Sequence, residues 1–366
     1  MSLRAVAHCA TASSQELGDL ILRLVMIGFG NVGQEFAKML LSKRDWLLKK
    51  KGLDVEVLAI ATKTRGSLLT KKSLNLERVL DHLKENGSLV GFGPENTDLS
   101  PLQIIDKCDA DALVELSTLD IETGEPAITH IRTALELGMD VITANKGPVA
   151  FAYDQLRDTA RIHGVHFRFE GTVMDGTPIF NLVDRTLPGC EVIGLSGILN
   201  STTNFVLDMM LHGSSMEEAV KEAQTRGIAE ADPSLDLEGW DAAAKITALA
   251  NVLMEANTTP KTVRRQGVTD VSSSDLRRAA SEGKKLKLVA SASRTGEEIE
   301  LEVKKRLVGP DDIFYSVDGT SSALTIRTDL MGDLTVFESG PGVTQTAYAV
   351  FSDLLLLVES IRNGTL

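Results

Sequence analysis

Only three cysteines occur in 366 residues, Cys9, Cys108 and Cys190, and no two of them stand at a metal-binding spacing. So few thiols, odd in number, exclude a disulfide framework and point to a reducing cytoplasm. No apolar run reaches the length of a membrane-spanning helix; the longest, LRLVMIGFG and FSDLLLLV, suit a buried core. Basic tracts are also missing. LLKKKG and TKKS are short, and a formal net charge of −13 repels nucleic acid and anionic membranes alike. The opening MSLRAVAHCATASSQELGD lacks an apolar targeting core, so residues 1–21 read as an N-terminal extension. No internal repeat or low-complexity tract is present. The remaining chain is 43% hydrophobic and long enough for two domains.

The placement of glycine is the first positive signal. In LILRLVMIGFGNVGQEFAKMLL a buried-strand pattern, Leu22 to Ile27, runs into Gly28-Phe29-Gly30-Asn31-Val32-Gly33 and then into an amphipathic helix. Strand, G-x-G-x-x-G and helix in that order make a dinucleotide cradle. Gly28 forms the tight turn, Gly30 admits a pyrophosphate to the backbone, and Gly33 lets helix and strand pack closely. The helix start offers free N–H groups to the phosphates. A second strand, Val55 to Thr62, ends without the acid that holds the free ribose of NAD. Lys63 and Arg65 follow instead and suit a 2′-phosphate, so NADP(H) is the expected cofactor, with NAD(H) as the other option.

Further strands, Asp111 to Thr118 and Asp140 to Thr143, flank a helix from Ala127 to Leu137. This alternation describes a doubly wound parallel sheet of the Rossmann type, whose ligands gather at the carboxyl ends of the strands, where Thr118 and Lys146 fall. After Ala150 the pattern changes. A strand from His166 to Val173, a strand feeding a helix in VIGLSGILNSTTNFVLDMMLHG, and a hairpin turning at Arg294 to Glu297 indicate a second, α+β domain with a mixed sheet. The glycine loop Gly340 to Gly342 precedes a long apolar helix that returns to the first domain. The expected division is 22–150 with 335–366 for the dinucleotide domain, and 151–334 for a catalytic domain that could also pair two copies into a homodimer.

One segment resists a structural explanation. GIAEADPSLDLEGWDAAAK, Gly227 to Lys245, holds five carboxylates. The helix before it stops at Gly227, Pro233 keeps the connection from entering as helix, and a new helix starts near Gly239. Asp241 and Lys245 stand four apart on one face of that helix, separated by three alanines that invite close packing. The acids Glu230, Asp236 and Asp241 are spread over the loop in a way helix propensity does not account for.

From Ala223 to Lys245 the residues resemble, position for position, the signature A-x3-G-hydrophobic-small-x2-D-P-x2-D-L-x-G-x-D-x3-K of homoserine dehydrogenases. The blocks TANKGPVA, FEGTVMDGTPI, GILNSTTNFVLDMM and GPGVTQTAYAV are also similar to that family, in family order. The resemblance implies the reversible reduction of aspartate 4-semialdehyde to homoserine with NADPH or NADH, on the route to threonine, isoleucine and methionine. It implies Lys245 as the proton-exchanging lysine and Lys146 as a second lysine beside nicotinamide and substrate. Glu230, Asp236 and Asp241 correspond to the acidic substrate positions, with Asp241 also able to orient a lysine and Glu230 the first candidate for the substrate ammonium. The cofactor would lie on Gly28 to Gly33, Lys63, Arg65, Thr118, Lys146 and Gly340. The stretch holding Glu170, Val173, Asp175 and Thr177 resembles the family's monovalent-cation loop, for Na+ or K+. It departs from the usual small residues at Met174 and Asp175, as Ser201 departs from a usual glycine. No room for a regulatory ACT domain is expected after Leu366. Another oxidoreductase of the same plan, or a catalytically silent nucleotide-binding regulator, are the competing readings; the second would have lost Lys146, Lys245 or the acids.

Overall fold

The computed structural model describes residues 20–365. Its first sheet begins with β1 (Leu20–Ile27), followed by α1 (Asn31–Lys51), β2 (Leu53–Ala61), β3 (Ser67–Leu69), α2 (Leu76–Asn86), β4 (Asn96–Thr97) and α3 (Pro101–Lys107). It continues with β5 (Ala112–Glu115), α4 (Ala127–Glu136), β6 (Asp140–Thr143), α5 (Lys146–His163) and β7 (Phe167–Arg168). The strand order is β4-β3-β2-β1-β5-β6-β7, with β2, β1, β5, β6 and β7 parallel and the short β3 and β4 antiparallel. Side-chain alternation along β1 builds two cores. Leu22, Leu24 and Met26 face α1 and the C-terminal helix, while Val25 and Ile27 face the layer of α3, α4 and α5. Each such fully buried side chain contributes about 2 kcal/mol.

The second unit contains α6 (Phe180–Thr186), β8 (Val192–Ile198), α7 (Ser201–Leu211), α8 (Met216–Thr225), α9 (Ser234–Leu237), α10 (Trp240–Leu253) and β9 (Arg264–Arg265). After these come α11 (Ser273–Ser281), β10 (Lys285–Thr295), β11 (Glu298–Val308), β12 (Ser322–Thr328) and β13 (Asp333–Glu338). Its sheet has the order β13-β12-β8-β10-β11-β9 and is mixed, antiparallel except where β9 joins β11. The chain ends in α12 (Val343–Asn363), whose Val350, Phe351, Leu354 and Val358 return to the core beside α1.

Several boundaries move. Leu20 and Ile21 already belong to β1, so the extension expected over 1–21 is shorter, and residues 1–19 lie outside the described residues. The limit at 150 falls inside α5, and β7 adds to the first sheet by pairing with β6. The strand expected from His166 to Val173 is only two residues long, because the backbone turns into a helical turn at Glu170–Thr172. At the other end β13 pairs with β12, so the return to the first unit follows Glu338 and not residue 335.

Between β1 and β5 the sheet changes direction of winding, and the glycine turn sits at that switch point. Gly28 has φ +94°, and a Cβ there would stand 2.2 Å from the Leu116 carbonyl oxygen. A Cβ on Gly33 would stand 2.8 Å from the Gly28 oxygen, whereas one on Gly30 would meet nothing within 4 Å. Two glycines are thus required by the fold and the third leaves open space. Gly28→Ala is expected to cost about 3 kcal/mol of stability in denaturant unfolding, whereas Gly30→Ala, at the N-cap of α1, is expected to cost about 0.5–1 kcal/mol.

Candidate active site

The signature segment is shaped by its turn residues. Ser215 and Glu218 close a capping box at the start of α8, and Gly227, at φ +71°, follows its end. The connection expected from Ile228 to Glu238 is not wholly irregular: Pro233 caps the single turn α9. Gly239, at φ +82°, then starts α10, and a Cβ there would lie 2.9 Å from the Gln266 oxygen. The expected close approach at the alanines is present, since Ala242, Ala243 and Ala244 are buried where α10 packs on α5 and the second sheet. At the far end Asn251 donates to the carbonyls of Val149 and Ala150 beside the kink of α5 at Ala152. The helix carrying Asp241 and Lys245 is therefore anchored to the helix that begins with Lys146.

Lys146 is the first residue of α5. The Asn145 cap before it accepts from Gly147 N at 3.0 Å and donates to the Ser117 carbonyl at 3.0 Å, tying the end of β5 to the start of α5. From this position Lys146 Nζ reaches Asp241 Oδ1 at 2.8 Å, across the two units. Asp241 Oδ2 lies 3.2 Å from Lys245 Nζ, which also donates to the Leu199 carbonyl at 2.7 Å. Asn200 completes the cluster, donating to Asp241 Oδ2 at 2.9 Å and to Asp236 Oδ1 at 2.7 Å. The pair Asp241 and Lys245 is thus no exposed helix bridge; their side chains are 14% and 18% exposed.

The charges in this cluster condition one another. Burial by itself raises the Asp241 carboxyl, but Lys146 and Lys245 outweigh it and hold the group well below the usual carboxylate range. Burial lowers the Lys245 ammonium, and Asp241, Asp175 and Asp236 more than reverse this, so its affinity for the proton is raised. Without substrate the surrounding acids thus keep Lys245 charged. Asp236 is raised by burial and by the charge of Asp241, against the Asn200 and Thr202 side chains.

Other expected residues fall less uniformly. Glu230 is exposed, and its carboxylate has no hydrogen-bond or ion-pair partner among the described residues. Gly30 and Asn31 are exposed at the turn with Val32 beside them, while the Phe29 ring is 1% exposed in the core, so only its backbone can meet a ligand. Thr118 is exposed beyond β5. Lys63 and Arg65 are exposed after β2 and make no ion pair among the described residues, whereas the Thr62 hydroxyl is committed to the Gly66 carbonyl at 2.9 Å. Gly340, at φ +63°, precedes the α12 N-terminus, where Thr346 donates to Asp175 Oδ1 at 2.9 Å.

Two family models match the chain. One, described as "Homoserine dehydrogenase, NAD binding domain", matches residues 28–170, and one described as "Homoserine dehydrogenase" matches residues 178–355. The homoserine dehydrogenase of Methanocaldococcus jannaschii is 37% identical over 93% of this chain and 99% of its own length. The chain belongs to the homoserine dehydrogenase family. A NAD(+)-dependent homoserine dehydrogenase from Pseudomonas canavaninivorans is 33% identical, covering 92% of this chain and 96% of its own. The solved structure of a hyperthermophilic archaeal homoserine dehydrogenase in complex with NADPH superposes with a TM-score of 0.80 at 28% identity, over 93% of this chain and 98% of that one.

In the candidate cation loop the acidic side chains have partners within the protein. The Glu170 carboxylate accepts from the backbone N–H groups of Ile179 at 2.6 Å, Phe180 at 2.9 Å and Asn181 at 2.8 Å, and from the Asn181 side chain. It satisfies the start of α6. Among the described residues no group of three acidic, His or Cys side chains is placed to bind a metal. The Asp175 carboxylate instead faces Lys245 and Glu338, the latter pushed up to about 7 by burial and by Asp175.

Asn200 and Glu338 escaped the sequence reading. Asn200 could have been found, since it stands two residues past β8 and caps α7, accepting from Thr203 N at 2.7 Å. Glu338 carried no signal, because only the pairing of β13 turns it inward.

Proposed function

We propose that this chain reduces L-aspartate 4-semialdehyde reversibly to L-homoserine, in the biosynthesis of threonine, isoleucine and methionine in the cytoplasm. The observation carrying this reading is Asp241 held between Lys146 and Lys245 where α5 follows the carboxyl end of β6. The glycine turn fits a dinucleotide: its open flank is at Gly30, and the first N–H groups of α1 are available to phosphate. NADPH bound there supplies the hydride. Lys245, kept protonated by Asp241, stabilises the alkoxide that develops on the aldehyde oxygen and delivers the proton. Lys146 adds positive charge on the cofactor side. Asp241 is occupied by both lysines and acts as their orienting group, which leaves Glu230 and Asp236 to hold the substrate ammonium.

Lys63 and Arg65, with no carboxylate at the end of β2, support NADP(H) over NAD(H). The uncommitted carbonyl groups of Val173 and Asp175 support a Na+ or K+ ion on the loop that ends at Thr177. Exposed Phe337 on the second sheet supports a homodimer through the face it shares with Ala323 and Ile198. The test is NADPH and NADH consumption measured in parallel with aspartate 4-semialdehyde. NADPH should give the higher kcat/KM, and the double variant K63E/R65E should lose about tenfold or more with NADPH alone. No turnover with either cofactor in a folded sample overturns the assignment.

A further inference from the structure

Strand β5 runs Ala-Leu-Val-Glu and is buried along its whole length, as a central parallel strand should be, but its last residue is a glutamate. Glu115 is 0% exposed. It pairs in register with Ile27 of β1 on one side and Thr143 of β6 on the other, at the carboxyl end of the sheet. Its side chain meets α4, where His130 Nδ1 lies 3.4 Å from Oε1. Among the described residues no lysine or arginine pairs with it. A carboxyl group taken out of water is costly unless its hydrogen bonds are replaced, so one in the middle of a sheet needs an explanation.

The bonds of its side chain and carbonyl bear on the backbone that leads to Lys146. Oε1 accepts from Ser117 N at 3.2 Å, and the Glu115 carbonyl accepts from Thr143 Oγ1 at 2.8 Å. Thr143 Oγ1 accepts in turn from Asn145 N at 3.0 Å, while Asn145 Nδ2 donates to the Ser117 carbonyl at 3.0 Å. These four bonds close a ring through Glu115, Ser117, Asn145 and Thr143. Thr143 and Asn145 are buried with Glu115, so water does not readily take a lost partner's place. Asn145 is the member that bears on the chemistry, because it caps α5 and directly precedes Lys146.

We propose that Glu115 is a positioning residue for Lys146, acting through this ring. The inference rests on the role proposed above for Lys146. Among the described residues neither Glu115 nor His130 forms an ion pair with Lys146, Asp241 or Lys245, so the influence runs through the backbone. Lys146 crosses from the first turn of α5 to the second unit, its Nζ 2.8 Å from Asp241, and the start of α5 sets where that ammonium stands. A misplacement of about 1 Å at a reacting group costs about a hundredfold in rate. The Glu115 carboxyl fixes Ser117, Ser117 fixes Asn145, and Asn145 fixes the residue that carries the charge.

Acetylation of lysines by acetic anhydride, followed peptide by peptide in the full chain without substrate, reads the placement of Lys146 directly. E115L keeps the volume and removes the acceptor. It should loosen Lys146 from Asp241, speed its labelling about tenfold and lower kcat for aspartate 4-semialdehyde about a hundredfold. Exposed Lys84 on α2 is the control and should be unchanged. E115Q restores an acceptor for Ser117 N and should bring both readouts to within about threefold of the native chain. In a K146M background E115L should lower kcat by less than about twofold, since a residue acting through Lys146 has nothing left to place. If E115L does not fold, T143V breaks the same ring from β6 and should give the same labelling change. Unchanged Lys146 labelling in the folded variant, parallel acceleration at Lys84, no rescue by E115Q, or the same loss of kcat in the K146M background overturns the proposal. The labelling needs no turnover, so a native chain inactive on aspartate 4-semialdehyde would overturn the function and leave the placement of Lys146 to be decided by acetylation.

Discussion

Replacing Lys245 by methionine is expected to lower turnover of aspartate 4-semialdehyde by about a thousandfold or more while the chain still binds NADPH. Methionine keeps the length and apolar stem of lysine and removes the charge, so the packing of α10 survives. What is lost is the ammonium held 3.2 Å from Asp241 and 2.7 Å from the Leu199 carbonyl. Those two acceptors point the Nζ at one place, and among the described residues no other cation pairs with Asp241 Oδ2. Steady-state kinetics by nicotinamide absorbance, with cofactor affinity measured separately by fluorescence, separates the two effects. A fall in kcat of less than about tenfold would show that the proton comes from elsewhere.

The second large effect is expected from Asp241→Asn. The change is nearly isosteric, yet it removes the anion that lies between the Lys146 and Lys245 ammonium groups. Lys146 and Lys245 then face each other across an amide, and breaking a buried pair in this way costs about 3–5 kcal/mol when the partners cannot relax. Since Lys146 belongs to the first unit and Asp241 to the second, part of that cost falls on the contact between them. We expect kcat to fall about a hundredfold. A purely structural role would stop there. An orienting role also moves the proton affinity of Lys245, which Asp241 raises. Without that carboxylate the lysine loses its proton at lower pH, so the acid-side limb of homoserine oxidation, the limb that a proton-accepting Lys245 would set, is expected to shift to lower pH. An unchanged limb would separate Asp241 from the proton-transfer step.

Much of the scaffold was legible locally. The G-x-G-x-x-G turn announces itself because Gly28 must adopt φ +94° against the Leu116 carbonyl, a demand that no other residue meets cheaply. The stop at Gly227 and the start at Gly239 are legible for the same reason, each being a left-handed position between helices. The reading fell short where the cause was distant. The three amide groups at the start of α6 that the Glu170 carboxylate accepts from carry no signal in its own stretch of sequence. The strand after His166 looked long by composition, but β6 offers it only two paired positions.

What the sequence by itself determined is the set of residues with strong local preferences and the spacing of one signature: the nucleotide turn, the helix limits, the strand-helix alternation and the family. What only the tertiary structure decided is which charges meet. Lys146 and Asp241 stand in different units, Asn200 joins Asp236 to Asp241 from the end of β8, and Glu338 turns inward from the edge strand of the second sheet. Helix and strand periodicity act over a few residues, whereas these contacts depend on sheet register and on the packing of α10 against α5, which arise only when the whole chain closes.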